Sequence, residues 1–304
     1  METQFKNLVE LQEHFNNENK CWDYLENLRW KDKVVCPFCK SERYYKFKNS
    51  RTYKCKDCKK KYNAKIGTIF ENTKVPLSKW FVSIYLATSH KKGISSCQLA
   101  KDIGVTQKTA WFILHRIREM LTQKAPYMLN SMVEIDECYL NPKPENKHKN
   151  KRVNRIPYGN RIKILGILQR DGIVYTELVD YVDARMLIPI ITKCVDKSST
   201  MVTDAFGSYQ SLGKSYKHIV VNHLRGEYVK GIYHTNTIEG YWGLMRRGVI
   251  GTYHHLSRQH IWRYLAEFEF RYNTRKSKEI ERFDYSFLNC ERRLKYNELI
   301  GKFK

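Results

Sequence analysis

The sequence predicts an α/β protein in which two small modules precede a larger mixed domain. Three observations carry that expectation. Four cysteines fall into two C-x-x-C pairs near the N-terminus, a helical periodicity follows as far as Pro126, and short alternating strands and turns take over from Ser131. The chain has 304 residues, is 42% hydrophobic and holds 21 Tyr, enough to bury a sizeable core. Its 55 Lys and Arg against 31 Asp and Glu leave a formal charge of +24, a surplus that repels itself unless a polyanion balances it. No long apolar run or basic amphipathic helix points to a membrane, so nucleic acid is the expected partner. The opening "METQFKNLVELQEHF" has neither a basic start nor an apolar signal core. A cytoplasmic protein is therefore expected, nucleoid-associated when DNA-bound, and its nine cysteines read as metal ligands and reduced thiols.

Residues 1–30 read as an N-terminal helical segment, and residues 31–72 as a zinc ribbon. In "CPFC" (Cys36, Cys39) and "CKDC" (Cys55, Cys58), two residues between thiolates let one tight turn aim both sulfurs at a single ion. Fifteen residues separate the pairs, and together they complete a four-sulfur tetrahedral site of the kind structural zinc takes. Tyr and Phe interleave with Lys and Arg between the knuckles, as in short paired strands. Lys40, Arg43, Lys46, Lys48, Arg51 and Lys54 suit a DNA-facing surface and equally a solvated one. Cys21, Cys97, Cys138, Cys194 and Cys290 are scattered and read as small hydrophobes.

Residues 73–125 read as a helix-turn-helix domain. Trp80, Phe81, Ile84, Tyr85 and Thr88 mark one helix. Ser95 or Ser96 caps the next, Gly104 supplies a turn, and Thr106 caps a third whose inner stripe is Ala110, Ile113, Leu114, Ile117 and Leu121. The last two form the pair that puts its second helix into the major groove, with Gln107, Lys108 and Thr109 as candidate base readers. An ordinary helical hairpin has the same pattern.

Residues 126–280 carry the α/β texture, and residues 281–304 read as a C-terminal tail. "SMVEIDECYL" alternates as a strand, "RIKILGILQRDGIVYTELVD" as a hairpin turning at Asp171-Gly172. "ARMLIPIITKCV" is a helix candidate despite Pro189. "STMVTDAFGSY" is a strand ending at Asp204, "YKHIVVNH" another, and helices start near Asn236 and Ser257. Three strands, a helix, a strand, a helix, a strand and then helices is the order of an RNase H-like domain. In that order Asp136 and Asp204 lie on neighbouring central strands, where acids are costly unless compensated. Mg²⁺ or Mn²⁺ supplies that compensation in phosphodiester-cutting sites. Glu134 and Glu137 flank Asp136, and any of the three suits a surface strand equally.

Together, "EIDE", "VTDAFGSY", "HTNTIEGYWGLMRRGVIGTYHHLS" and "YLAEFEFRYN" resemble the DDE-class transposases of bacterial insertion sequences with an N-terminal zinc ribbon, the ISXO-like group. Thirty-four residues separate Asp204 from Glu239, and Arg246 follows Glu239 by seven, as the resemblance requires. It implies Asp136, Asp204 and Glu239 as catalytic metal-binding carboxylates, with Arg246 and its neighbour Arg247 on transposon-end DNA. Asn236 and His234 are rival or auxiliary ligands at the third position. From Lys143 to Lys163 eight Lys or Arg meet one acid, and Lys149, Lys151 and Arg152 in that run suit phosphate backbones.

Locally Glu239 has a second reading. With Asn236 as N-cap it falls at the third helical position, where a capping-box glutamate sits. The resemblance implies a transposase that binds the inverted-repeat ends of its element, cuts and transfers strands with Mg²⁺ or Mn²⁺, and works as a homo-oligomer on double-stranded DNA. A non-catalytic DNA-binding regulator and an RNase H-like nuclease are the rival functions.

Overall fold

A computed structural model describes residues 5–31, 33–48, 50–122, 128–140 and 161–301. The chain divides into two compact units, Met1–Thr122 with Ser277–Lys304, and Gln123–Lys276.

The first unit begins with helices α1 (Leu8–His14) and α2 (Glu18–Trp30). A three-stranded antiparallel sheet follows, β1 (Tyr44–Lys46), β2 (Tyr53–Cys55) and β3 (Lys61–Tyr62), in that order. Lys40 and Lys59, each directly after the second cysteine of a knuckle, take left-handed φ of 62°, so both turns close alike. Next come α3 (Leu77–Ser89), α4 (Ser96–Ile103) and α5 (Gln107–Leu121). Helix α3 starts behind Pro76 with no cap of its own; the Glu18 carboxylate accepts from the Leu77 and Ser78 N–H groups at 2.9 and 3.2 Å instead. The α4–α5 junction follows the sequence closely. Ser95 caps α4, Gly104 turns at φ 61°, Thr106 caps α5, and Ala110, Ile113, Leu114, Ile117 and Leu121 are all buried.

In the second unit, β4 (Met132–Leu140) is the central strand of a mixed five-stranded sheet. Its companions are β5 (Ile162–Gln169), β6 (Val174–Val179), β7 (Thr200–Asp204) and β8 (Lys217–Val221), in the order β6-β5-β4-β7-β8. The first three strands are antiparallel, and β4, β7 and β8 are parallel. The hairpin turn forms at Asp171–Gly172, with Asp171 at φ 60°. Helix α6 (Ala184–Cys194) tolerates Pro189 within it and is capped by Asp183. The stretch expected as a helix between β7 and β8 is a 3-10 helix, Gly207–Lys214, whose two glycines disfavour a regular α-helix. Helices α7 (Asn236–Gly248) and α8 (Ile261–Asn273) complete the unit. One core, with Val133, Ile135, Leu187 and Tyr209, lies under α6; the other, with Cys138, Ile164, Trp242 and Phe268, lies under α7 and α8.

The chain then returns to the first unit through α9 (Glu279–Ser286) and α10 (Tyr296–Leu299). Phe283 and Phe287 join Phe15, Tyr24 and Phe81 in an aromatic cluster of edge-to-face and tilted ring pairs. Among the described residues, no helix is long and apolar enough to cross a membrane.

Candidate active site and metal centre

The four ribbon cysteines converge. All their sulfurs lie within 4.8 Å of one another, with Cys36–Cys58 at 3.7 Å and Cys39–Cys55 at 3.5 Å. A tetrahedron of Zn–S bonds of about 2.3 Å has edges of about 3.8 Å, so the thiols fit one zinc ion.

On β4 the alternation of a strand decides what each acid does. Glu134, Asp136 and Cys138 face α7, while Val133, Ile135 and Glu137 face the opposite core. Glu134 is fully buried and holds the start of α7. Its carboxylate accepts from the Thr237 and Ile238 N–H groups, both at 3.0 Å, from the Thr237 hydroxyl at 2.8 Å, and pairs with Arg170 at 2.8 Å. The cap expected from Asn236 is not there. Thr235 is the N-cap residue and Asn236 the first helical one, exposed to solvent. Helix α7 therefore takes its acid cap from a strand more than a hundred residues earlier, and Glu239 is released from that task.

Asp136 accepts from the Trp242 indole N–H at 3.0 Å. Trp242 reaches it because Gly166 lies beside Asp136 on β5, and a Cβ there would stand 2.4 Å from the indole ring. The parallel pairing of β4 and β7 sets Met132 against Thr200 and Glu134 against Val202; continued two residues, it sets Asp136 level with Asp204. Burial pushes the Asp136 carboxyl up to about 6, and the charges of Asp204 and Glu239 push the same way against the Trp242 hydrogen bond. Asp204 accepts from the Phe206 N–H at 3.1 Å. Glu239 is half-exposed and accepts from the Thr235 hydroxyl at 2.8 Å, with His223 Nε2 at 3.9 Å.

Asp204 and Glu239 are thus near enough for their charges to act on Asp136, but among the described residues only the ribbon cysteines bring three or more ligand atoms within 4.8 Å of one another, and these carboxylates do not. Burial first, and the charges of Asp204 and Glu239 second, hold Asp136 above its ordinary range; hard carboxylate oxygens in that setting are ligands of the kind Mg²⁺ or Mn²⁺ would take.

Other candidates fall elsewhere. His234 is drawn into the Glu134 network, with Nδ1 3.2 Å from Arg170 and 3.6 Å from Glu134. Arg246 reaches Cys138 Sγ at 3.5 Å, two residues beyond Asp136 on the same strand face, while Arg247 is exposed near Gly243. In the first unit Gln107 bonds Ser96, Lys108 lies over the Tyr296 ring, and Thr109 bonds Thr106. Lys149, Lys151 and Arg152 lie outside the described residues.

Sequence reasoning missed one pair. Tyr209 donates to Glu137 on the far side of β4; burial pushes that carboxyl up to about 7, with Asp136 and Asp204 adding to the rise against the Tyr209 hydrogen bond. The only available signal was that Tyr209 closes the same "VTDAFGSY" block as Asp204.

Residues 128–273 match the ISXO2-like transposase domain, and residues 16–61 match the transposase zinc-ribbon domain. An uncharacterized transposase-like protein of Haemophilus influenzae is 31% identical over 106 residues, 34% of this chain and 85% of that protein. The chain belongs to the ISXO2-like transposase family. A similar family relative, an uncharacterized protein in transposable element ISH50 of Halobacterium salinarum, is 29% identical over 274 residues, 84% of this chain and 91% of that one. Looser structural likenesses include a pre-cleavage Mos1 transpososome (14% identity, 66% of this chain and 75% of the other, TM-score 0.31). The Mos1 strand transfer complex is similar at 14% identity over 71% and 79%, TM-score 0.30.

Proposed function

We propose that this transposase-family chain binds the inverted-repeat ends of an insertion sequence and performs metal-dependent cleavage and strand transfer on DNA, with Asp136, Asp204 and Glu239 as the catalytic carboxylates. The observation that carries the reading is the Asp136 carboxyl, desolvated on a central strand in the field of the other two acids. Asp136, Asp204 and Glu239 would hold Mg²⁺ or Mn²⁺, which would supply Lewis acidity for phosphoryl transfer. The protein's own part is to pre-organise the acids. Trp242 pins Asp136, the Phe206 N–H pins Asp204, and the Thr235 hydroxyl pins Glu239. Arg246, seven residues after Glu239 on α7 and 3.5 Å from Cys138 Sγ, would meet the DNA backbone, with Arg247 beside it.

The sheet order β6-β5-β4-β7-β8 supports an RNase H-like domain. The capped α4–α5 pair supports a helix-turn-helix that, with the zinc ribbon, would recognise the ends. Gln107, Lys108 and Thr109 stand at the start of α5, where base readers sit. Pairing of two ends calls for a homo-oligomer.

The test is joining of a labelled transposon end to plasmid with Mg²⁺ or Mn²⁺, using the unaltered protein and Asp204→Asn. Cut and joined product is expected only from the former. Equal product from both removes Asp204 from catalysis, cuts without joining make the protein a nuclease, and neither makes it a regulator. Glu239→Gln removes charge while leaving a hydrogen-bond acceptor for Thr235; joining at an unchanged rate would leave Glu239 without a catalytic role.

A further inference from the structure

The structure re-sorts the basic residues of the ribbon. Residues 43–56 hold six Lys or Arg and no acid, but two of those cations are spoken for within the first unit. Arg43 pairs with Asp57, and Arg51 with Asp23 and Glu26. Lys46 shares its strand face with Tyr44, beside the buried ring of Tyr53. The opposite face is different. Tyr45, Lys54 and Lys61 stand in one cross-strand row, one residue from each strand. Phe47 continues that face beyond β1, with the Lys61 ammonium 5.3 Å from its ring centroid, and the Lys56 ammonium lies 4.6 Å from that of Tyr45. Tyr45 is 60% exposed and Phe47 39%.

Two exposed rings and three lysines, with no acid among them, on a small sheet anchored by a metal site make a surface of one chemistry: flat π faces beside fixed positive charge. In a duplex the base faces are covered by their neighbours, so protein rings stack on bases that are unpaired. An exposed cation–π pair is a weaker partner for a ring than a stacked base, and a displaced ammonium can move to the adjoining phosphate. Exchange of lysine for base therefore improves both contacts.

We propose that this face, Tyr45, Phe47, Lys54, Lys56 and Lys61, is a platform for single-stranded DNA, engaging strands separated at a cut or frayed transposon end. The choice of DNA rests on the strand-transfer reading above; the stacking chemistry rests on the sheet alone.

The test uses the full-length zinc-loaded protein and fluorescence anisotropy with three labelled probes, a 20-mer of dT, a 20-base-pair duplex and a 20-mer of rU. For Tyr45→Ala/Phe47→Ala, dT affinity is expected to fall about tenfold or more while duplex affinity stays within about twofold. Lys56→Ala and Lys61→Ala are each expected to lower the salt dependence of dT binding, log K against log salt, by about 0.7. Tyr45→Phe, which keeps the ring, should bind dT as the unaltered protein does, and one zinc per chain confirms that each variant keeps its ribbon. Unchanged dT binding by the double alanine variant overturns the proposal, as does an equal loss of dT and duplex, or tighter binding of rU than of dT. Absence of strand joining in the unaltered protein defeats the catalytic reading and leaves these binding results to decide the platform.

Discussion

Asp136 and Glu134 lie two residues apart on one face of one strand, yet they face opposite demands. Glu134 is buried with Arg170 and two helix N–H groups, so its charge is fully partnered. Asp136 is buried with an indole donor; that burial, reinforced by the charges of Asp204 and Glu239, raises its carboxyl from an ordinary 3.8 to about 6. Ionising it in the fold therefore costs up to about 3 kcal/mol without a cation. The sign follows from proton counting. Below about pH 4 both folded and unfolded states hold the proton; from about 4 to 6 the folded state holds more, so stability falls as pH rises. Above about 6 the full cost stands. Asp136→Asn, which keeps an acceptor for Trp242, is thus expected to stabilise the protein by about 1–3 kcal/mol at pH 8 without added divalent ions. That gain should vanish near pH 4 and be accompanied by loss of strand joining. Urea unfolding at the two pH values, beside the joining assay, checks it.

At the scale of elements, two helices begin on carboxylates contributed from elsewhere in the chain, α3 on Glu18 and α7 on Glu134. A local capping rule applied to "HTNTIEGYW" assigns that task to Asn236 and Glu239, because no local rule sees a strand a hundred residues away. Helix α7 also depends on a missing side chain. At Gly166 a methyl group would stand 2.4 Å from the Trp242 ring, in a helix–sheet contact that leaves no space for it. Gly166→Ala is expected to cost about 1–3 kcal/mol, as overpacking does, and to displace the indole from Asp136. A shift in tryptophan fluorescence with a lowered urea midpoint would show both; unchanged values for each would mean that the ring has room to move. The ribbon is held differently. Its strands have three, three and two residues, too few to stand by themselves, so bound metal is expected to supply much of its folding free energy. Stripping zinc with a strong chelator should speed amide exchange across residues 36–62 and leave the β4–β5 pairing protected.

On the scale of the whole molecule, residues 277–304 close the first unit after the chain has built the second. Phe283 is fully buried among Phe5, Phe15, Phe81 and Phe287. Phe283→Ala is expected to cost the first unit about 3–5 kcal/mol, visible as a thermal transition moved to lower temperature, with the second unit's transition unmoved. A common shift of both would mean that the units unfold together.

What the sequence by itself determined are the features whose partners are close in the chain. The thiol knuckles need only two-residue spacings, the α4–α5 pair only caps and a helical stripe, and the β5–β6 hairpin only a turn. The acidic blocks, set beside known transposases, also marked the region that matches the transposase domain. The tertiary structure alone decided what surrounds each acid, since Glu134, Asp136 and Glu137 have the same charge and differ only in what β4 turns each of them toward. It also decided that the last helices return to the first unit, and that Lys54, Lys56 and Lys61 lie on the face of Tyr45 and Phe47. Those outcomes depend on register and packing between segments far apart in sequence, and such contacts leave no periodicity in the chain to read.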